Sequence, residues 1–158
     1  MTDNRPFEEA ALLNPAFVAT VIAVAASEYE NARGGPLPFA LAFAITPLVL
    51  ASDVRDQLPR RTTAHLANWV SALPAARAEN RLRTLAMTPY TRSGIRFGVR
   101  GRYLELSADG IRGRLKADQT ARRFDGEAGT IIKSASFVGR WFAREEITQV
   151  YALLGFRP

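Results

Sequence analysis

The sequence predicts an α+β fold, mainly α-helical, with helices toward both ends of the chain and one β-hairpin between them. Three observations predict it. Asn14-Pro15 and Gly34-Gly35 bracket a long apolar stretch, which is the punctuation of a helix. Leu66, Trp69, Val70 and Leu73, and later Ile147, Val150, Tyr151 and Leu154, recur at steps of three and four. Asp109-Gly110 stands between two short alternating runs, the strongest short-range hairpin signal.

The elements follow in order. Residues 1–13 form a short polar lead. Asn14 can cap the first free N–H groups and Pro15 loses nothing at the first helical position, so a helix opens there. It runs to about Arg33, where Gly34-Gly35 stops it. Its first half is apolar nearly all round and is expected at the centre of the core. Pro36–Ala51 is expected to be buried but reads two ways. Leu37, Phe39, Leu41 and Phe43 alternate as in a strand, Leu48-Val49-Leu50 suits a helix or a strand, and Pro47 opposes a regular central strand. Thr62 or Thr63 is expected to cap the helix that carries Leu66, Trp69, Val70 and Leu73 on one face, and Pro74 to end it. Ala78, Leu82 and Leu85 continue the helical period to about Met87, with Thr88-Pro89 as its end.

In residues 91–100, Ile95, Phe97 and Val99 alternate as in a strand, whereas Arg92, Arg96 and Arg100 share one face of a helix. Either conformation gathers the arginines on one side. Tyr103–Lys116 is the hairpin. Counting outward from Asp109-Gly110 pairs Ala108 with Ile111, Leu106 with Gly113 and Leu104 with Leu115 on an apolar face. The other face pairs Ser107 with Arg112, Glu105 with Arg114 and Tyr103 with Lys116. Residues 117–130 read as a loop. Lys133–Arg144 reads as a helix with a bulky stripe of Phe137, Val138, Trp141 and Phe142, and Gly155 closes the last helix.

With 158 residues, 47 % of them hydrophobic, the chain suits one domain over 1–158 with a sizeable core. It has no cysteine and one histidine, His65, which excludes disulfides, thiolate metal sites, multi-histidine metal sites and two-imidazole mechanisms. The net charge of +6 is unevenly placed. Residues 1–50 carry −3, residues 51–100 carry +6 and residues 101–158 carry +3. A basic balance favours an anionic partner, but nearly all the bases are arginines in an alanine-rich chain, a bias that also follows from a GC-rich genome. No basic start leads into an apolar run. Ala16–Ala26 is too short to span a bilayer and Leu37–Ala51 is interrupted by prolines, so a cytoplasmic protein without membrane contact is expected.

Helix, helix, a possible third helix and a hairpin are the order of a winged-helix unit, which residues 62–116 would supply within the single domain. Thr91–Arg100 would be its recognition helix and Ser107–Arg112 its wing tip. Arg92, Arg96 and Arg100 are then candidate contacts to duplex phosphates, supplemented by Arg112, Arg114 and Lys116. The same unit could dock a protein, with the arginines merely solvated and Glu105 neutralising part of the wing. Phe137, Trp141, Phe142 and Tyr151 are candidate anchors of a partner interface, or core residues. His65 has no carboxylate spaced to orient it and reads as structural. Glu8-Glu9 and Glu145-Glu146 point about 100° apart on a helix, which suits capping rather than a shared proton or metal. No phosphate-loop or nucleophile-elbow sequence occurs. No catalytic residue, cofactor, metal or small-molecule substrate is expected.

Three stretches taken together resemble a known family: Asn14-Pro15-Ala16 with Pro36-Leu37-Pro38 and Thr46-Pro47-Leu48-Val49-Leu50; Pro89-Tyr90-Thr91-Arg92 with Phe97-Gly98; and Phe137-Val138-Gly139-Arg140-Trp141-Phe142-Ala143 with the run Tyr151-Ala152-Leu153-Leu154-Gly155-Phe156-Arg157-Pro158. From about Asn14 to Pro158 the chain is similar to the middle component of bacterial three-component ABC systems, which are related to Lamassu-like defence against phages and plasmids. The resemblance implies a non-catalytic adaptor between an SMC-like ABC ATPase and an effector, a nuclease or another, while double-stranded DNA as a further partner rests on the arginines alone. The alternative from the residues alone is a stand-alone winged-helix DNA-binding regulator.

Overall fold

A computed structural model describes the backbone of residues 11–72 and 74–155, and the side chains of 11–72 and 81–155. Its order is α1 (Pro15–Arg33), α2 (Phe39–Leu50), α3 (Ser52–Arg55), α4 (Leu66–Ala72), α5 (Pro74–Arg100), β1 (Leu104–Ser107), β2 (Gly110–Gly113), α6 (Ala117–Ala121), α7 (Gly126–Phe142) and α8 (Ile147–Leu154). The fold is thus mainly α with one antiparallel hairpin, as the sequence predicts. The first ten residues of the polar lead, the Leu73 contribution to the α4 face and the last three residues lie outside the described residues.

α1 starts and stops where its signals place it. The Asn14 Oδ1 accepts from the Ala16 N–H at 2.9 Å, Pro15 takes the first helical position, and Gly34 closes the helix in the left-handed conformation with φ +87°. From Val18 to Ala26 every residue but the half-buried Thr20 is buried. A helix covered all round must touch its neighbours backbone to backbone on some sides, because there is no room for side chains everywhere. Gly139 of α7 and Gly113 of β2 make this possible. A Cβ on Gly139 would stand 2.3 Å from the Ala25 carbonyl oxygen, and one on Gly113 would stand 1.9 Å from that of Ala23. α5 crosses the same helix on its Thr91–Ile95 side.

The ambiguous segment after α1 is a helix. Pro36 and Pro38 hold Leu37 extended, and α2 begins directly after them. It is buried nearly all round despite Pro47, and the adjacent Thr46 hydroxyl donates to the Ala42 carbonyl at 2.9 Å. Arg55 then turns back on the end of α2. Its guanidinium is buried, donates to the Val49 carbonyl at 2.7 Å and meets the Glu127 carboxylate at 2.9 Å in the first turn of α7. One side chain thereby joins the negative end of one helix to the acidic start of another.

The remaining expectations are corrected in four places. Thr88-Pro89 does not end a helix: α5 runs unbroken through Pro89 to Arg100. Pro89 is exposed while Thr84 and Thr91 are buried on either side, so the missing N–H and the freed carbonyl fall on the solvent side. Neither Thr62 nor Thr63 caps α4. Its first N–H, of Leu66, donates to the Glu145 carboxylate at 3.0 Å from the far end of α7. The expected loop contains α6 and the first turn of α7. The hairpin forms with its register two residues from the one counted on Asp109-Gly110. Leu104 faces Gly113, Glu105 faces Arg112 and Leu106 faces Ile111, with Ala108-Asp109 as the connection.

The register has a physical cause. Ile111 pairs with Leu106 on one side and with Leu37 on the other, donating to the Leu37 carbonyl at 2.7 Å and accepting from its N–H at 2.9 Å. Gly110 is needed for this close approach, since its Cβ would stand 2.1 Å from the Leu37 carbonyl oxygen. The turn therefore moves off the glycine. A shift of two preserves the faces, so Leu104 and Ile111 still point inward.

Gly139→Ala should lower stability to urea by about 1–3 kcal/mol, as overpacking against a fixed backbone does. Unchanged urea unfolding of the variant would show that α7 can retreat from α1.

Candidate partner and nucleic-acid interface

The residues expected to contact duplex phosphates separate into two groups. Arg92, Arg96 and Arg100 are exposed on α5 and make no ion pair with the described residues. The hairpin cations are engaged. Arg112 donates to the Glu30 carboxylate of α1 at 2.9 Å, and Arg114 pairs diagonally with Glu105. Lys116 is exposed just before α6. The hairpin therefore lies against α1 with its charge partly matched. With α5 continuous, residues 62–116 contribute two helices before the hairpin instead of three, and Thr91–Arg100 is the last stretch of a long helix without an N-terminus of its own.

The C-terminal aromatic set is mostly interior. Trp141 and Phe142 are core residues and offer a partner no surface. The Trp141 indole N–H donates to the Ala64 carbonyl at 2.7 Å, and its ring meets Trp69 edge-on at 5.5 Å. Trp69 in turn donates to the Gln57 carbonyl at 2.7 Å. This pair, with Glu145, holds the α4 segment against α7. Phe137 and Tyr151 are half-buried. Burial pushes the Tyr151 hydroxyl above the usual tyrosine range, with Tyr29 adding to it, and burial likewise raises Tyr29 against the opposing pull of Arg33. Both hydroxyls stay protonated at neutral pH. His65 is exposed. Glu145 caps α4 instead of the helix it precedes, and Glu146, at the start of α8, makes no side-chain cap bond and stands 3.9 Å from Arg33.

Exposed apolar residues lie elsewhere. Eight large hydrophobic side chains are exposed among the described residues, and seven of them fall between Leu82 and Leu106. Leu82 and Leu85 are 68 % and 64 % exposed, and Tyr90, Phe97, Val99, Tyr103 and Leu106 complete the group. The region joins this apolar surface to the unpaired arginines. The sequence period at Leu82 and Leu85 is helical as expected, but it faces water and not the core.

A further feature marks the end of α5. The Tyr103 N–H donates to the Gly98 carbonyl at 2.8 Å and the Arg102 N–H to that of Val99 at 3.3 Å, while Phe97 and Tyr103 stack at 6.4 Å. These are the bonds and the apolar contact of a Schellman cap, which favours glycine at its left-handed position. Here Arg102 occupies it, with φ +62°. Nothing in the sequence marks Arg102, since Gly101, one residue earlier, is the residue that suits a helix end.

A cleft of about 710 Å³ opens between α1, α6 and α7, lined by Glu28, Asp118, Arg122, Lys133 and Arg140. Its two carboxylates partly offset its three cations, and Arg140 stands 3.9 Å from Glu28. Among the described residues no group of three or more His, Cys, Asp or Glu side chains could hold a metal, and no helix is long and apolar enough to cross a membrane.

Arg102→Gly should raise stability by about 1 kcal/mol, the cost of a left-handed residue with a Cβ. An unchanged or lowered denaturation midpoint would mean that the Arg102 side chain makes a stabilising contact.

Among known families, the profile described as ABC-three component (ABC-3C) system Middle Component 3 matches residues 2–158. No curated protein and no solved structure matches the chain.

Proposed function

The chain belongs to the Middle Component 3 family of ABC-three component systems, and on that premise we propose that it is a non-catalytic accessory subunit coupling an SMC-like ABC ATPase to an effector. The setting is a cytoplasmic bacterial defence complex, and the effector is a nuclease or another executing enzyme. The observation that carries this reading is the gathering of exposed apolar side chains along α5 and the hairpin, whereas the other large hydrophobics among the described residues are largely interior. Fully burying a leucine contributes about 1.5–3 kcal/mol. Leu82 and Leu85 alone thus provide a useful part of a docking energy. The mechanism is surface burial and charge matching, with no bond made or broken on this chain.

Direct duplex contact is the second reading, favoured by Arg92, Arg96 and Arg100, which stand on one helical side and pair with none of the described residues. Such contacts would follow the phosphates and weaken steeply with salt. A stand-alone winged-helix regulator fits less well. Its recognition helix would present N-terminal residues to base edges, and here that stretch begins in mid-helix. Arg112 and Arg114 are also already matched by Glu30 and Glu105.

Co-expressed with the ATPase and the effector encoded beside it, the full chain should elute with at least one of them. The isolated chain should neither hydrolyse ATP nor cut nucleic acid. Elution of the chain alone in the presence of both subunits overturns the coupling role, and any intrinsic turnover overturns the non-catalytic one.

A further inference from the structure

The exposed side of α5 is ordered along its length. Steps of three and four from Leu82 reach Leu85, Pro89, Arg92, Arg96 and Val99, and all six residues are exposed. These alternating steps of three and four trace the seam along which one helix packs on another. The opposite side of α5 carries Thr84, Thr91 and Ile95 and faces the protein core. The seam is divided. Its first half presents leucines, and its second half presents Arg92 and Arg96, with Arg100 on the flank. Between Glu79 and Glu105 the chain contains no acidic residue at all, and these three arginines pair with none of the described residues.

We propose that this seam receives a single α-helix of a partner subunit, apolar where it meets Leu82 and Leu85 and acidic where it meets Arg92, Arg96 and Arg100. The proposal rests on the accessory-subunit reading and specifies its surface. Charge complementarity selects the occupant. The same seam of a second copy would supply no acid: side by side in the same direction it sets arginine on arginine, and in the opposite direction it lays arginine over leucine. Duplex DNA satisfies the arginines but leaves two largely exposed leucines in water and adds nothing at Val99. An amphipathic helix with an acidic half satisfies both parts, and its carboxylates can take the planar guanidinium groups two bonds at a time. Opposite charge along the second half also fixes the direction of the incoming helix, since reversal would bury carboxylates against leucine.

The test titrates the purified ATPase subunit and the purified effector subunit, separately, against the full chain and two variants. Leu82→Asp with Leu85→Asp disrupts the apolar half. Arg92→Glu, Arg96→Glu and Arg100→Glu together reverse the charged half. All substituted residues are exposed, and matching circular dichroism and melting curves check that the fold survives. Each variant should weaken binding of the same subunit by about tenfold or more. Added salt should weaken the wild type and the leucine variant but have little further effect on the arginine variant. Reversing an acidic position of the partner helix to lysine should restore part of the loss in the arginine variant. Unchanged affinity of both variants for both subunits overturns the seam while leaving the accessory role intact. Loss confined to a short DNA duplex overturns it in favour of nucleic acid. A wild-type dimer dispersed by the leucine variant overturns it in favour of self-association. Wild-type chain that binds neither subunit overturns the parent reading together with the seam.

Discussion

The fold depends on the burial of the middle of α1. From Val18 to Ala26 every side chain but that of the half-buried Thr20 is shut off from water, so α5, α7 and the hairpin must all find room around one helix. Alanines on α1 and glycines on its neighbours give that room, and the distance between backbones falls to carbonyl contact at Gly139 and Gly113. The core is therefore organised by proximity as much as by apolar area. Polar contacts then hold the periphery. Arg55 ties the end of α2 to the start of α7, and Arg33 donates to the Ala143 carbonyl at 3.2 Å to fasten the end of α1 to the end of α7.

This arrangement also decides which surface is left for a partner. The bulky C-terminal aromatics are consumed in holding α4 and α7 together, through Trp69, Trp141 and Glu145. The hairpin spends Arg112 on α1 and Arg114 on its own strand. α5 is different because only one of its sides is required by the core. Its outer side keeps leucines and arginines that no internal need explains, and a subunit of a three-component system has a use for both.

The sequence made local punctuation legible. Asn14-Pro15, Gly34 and Gly155 mark helix ends through bonds within a few residues, and their positions agree with the structure. Where an end is set from far away, the reading fails. The α4 cap comes from Glu145, which no local pattern announces. Gly110 looks like a turn glycine but is needed against Leu37, a contact invisible in one dimension. Pro89 looks like a stop, yet a proline that faces solvent is tolerated when buried threonines anchor the helix on both sides. The gathering of Arg92, Arg96 and Arg100 on one helical side is legible from their spacing. Leu82 and Leu85 read as helical with nothing local to mark them as exposed, and the alternating steps of three and four running from them into the arginines, with no acid nearby, are the signal that identifies them.

The contact between Gly139 and Ala25 restricts how this lineage can change. The obstacle to a larger residue at 139 is a main-chain oxygen, so no replacement at position 25 removes it, and glycine leaves nothing smaller to retreat to. Suppressor mutations that rescue most core defects by trimming a facing side chain have no route here. Divergence should accumulate on the outer surfaces, while this crossing point stays frozen in descendants that retain the fold.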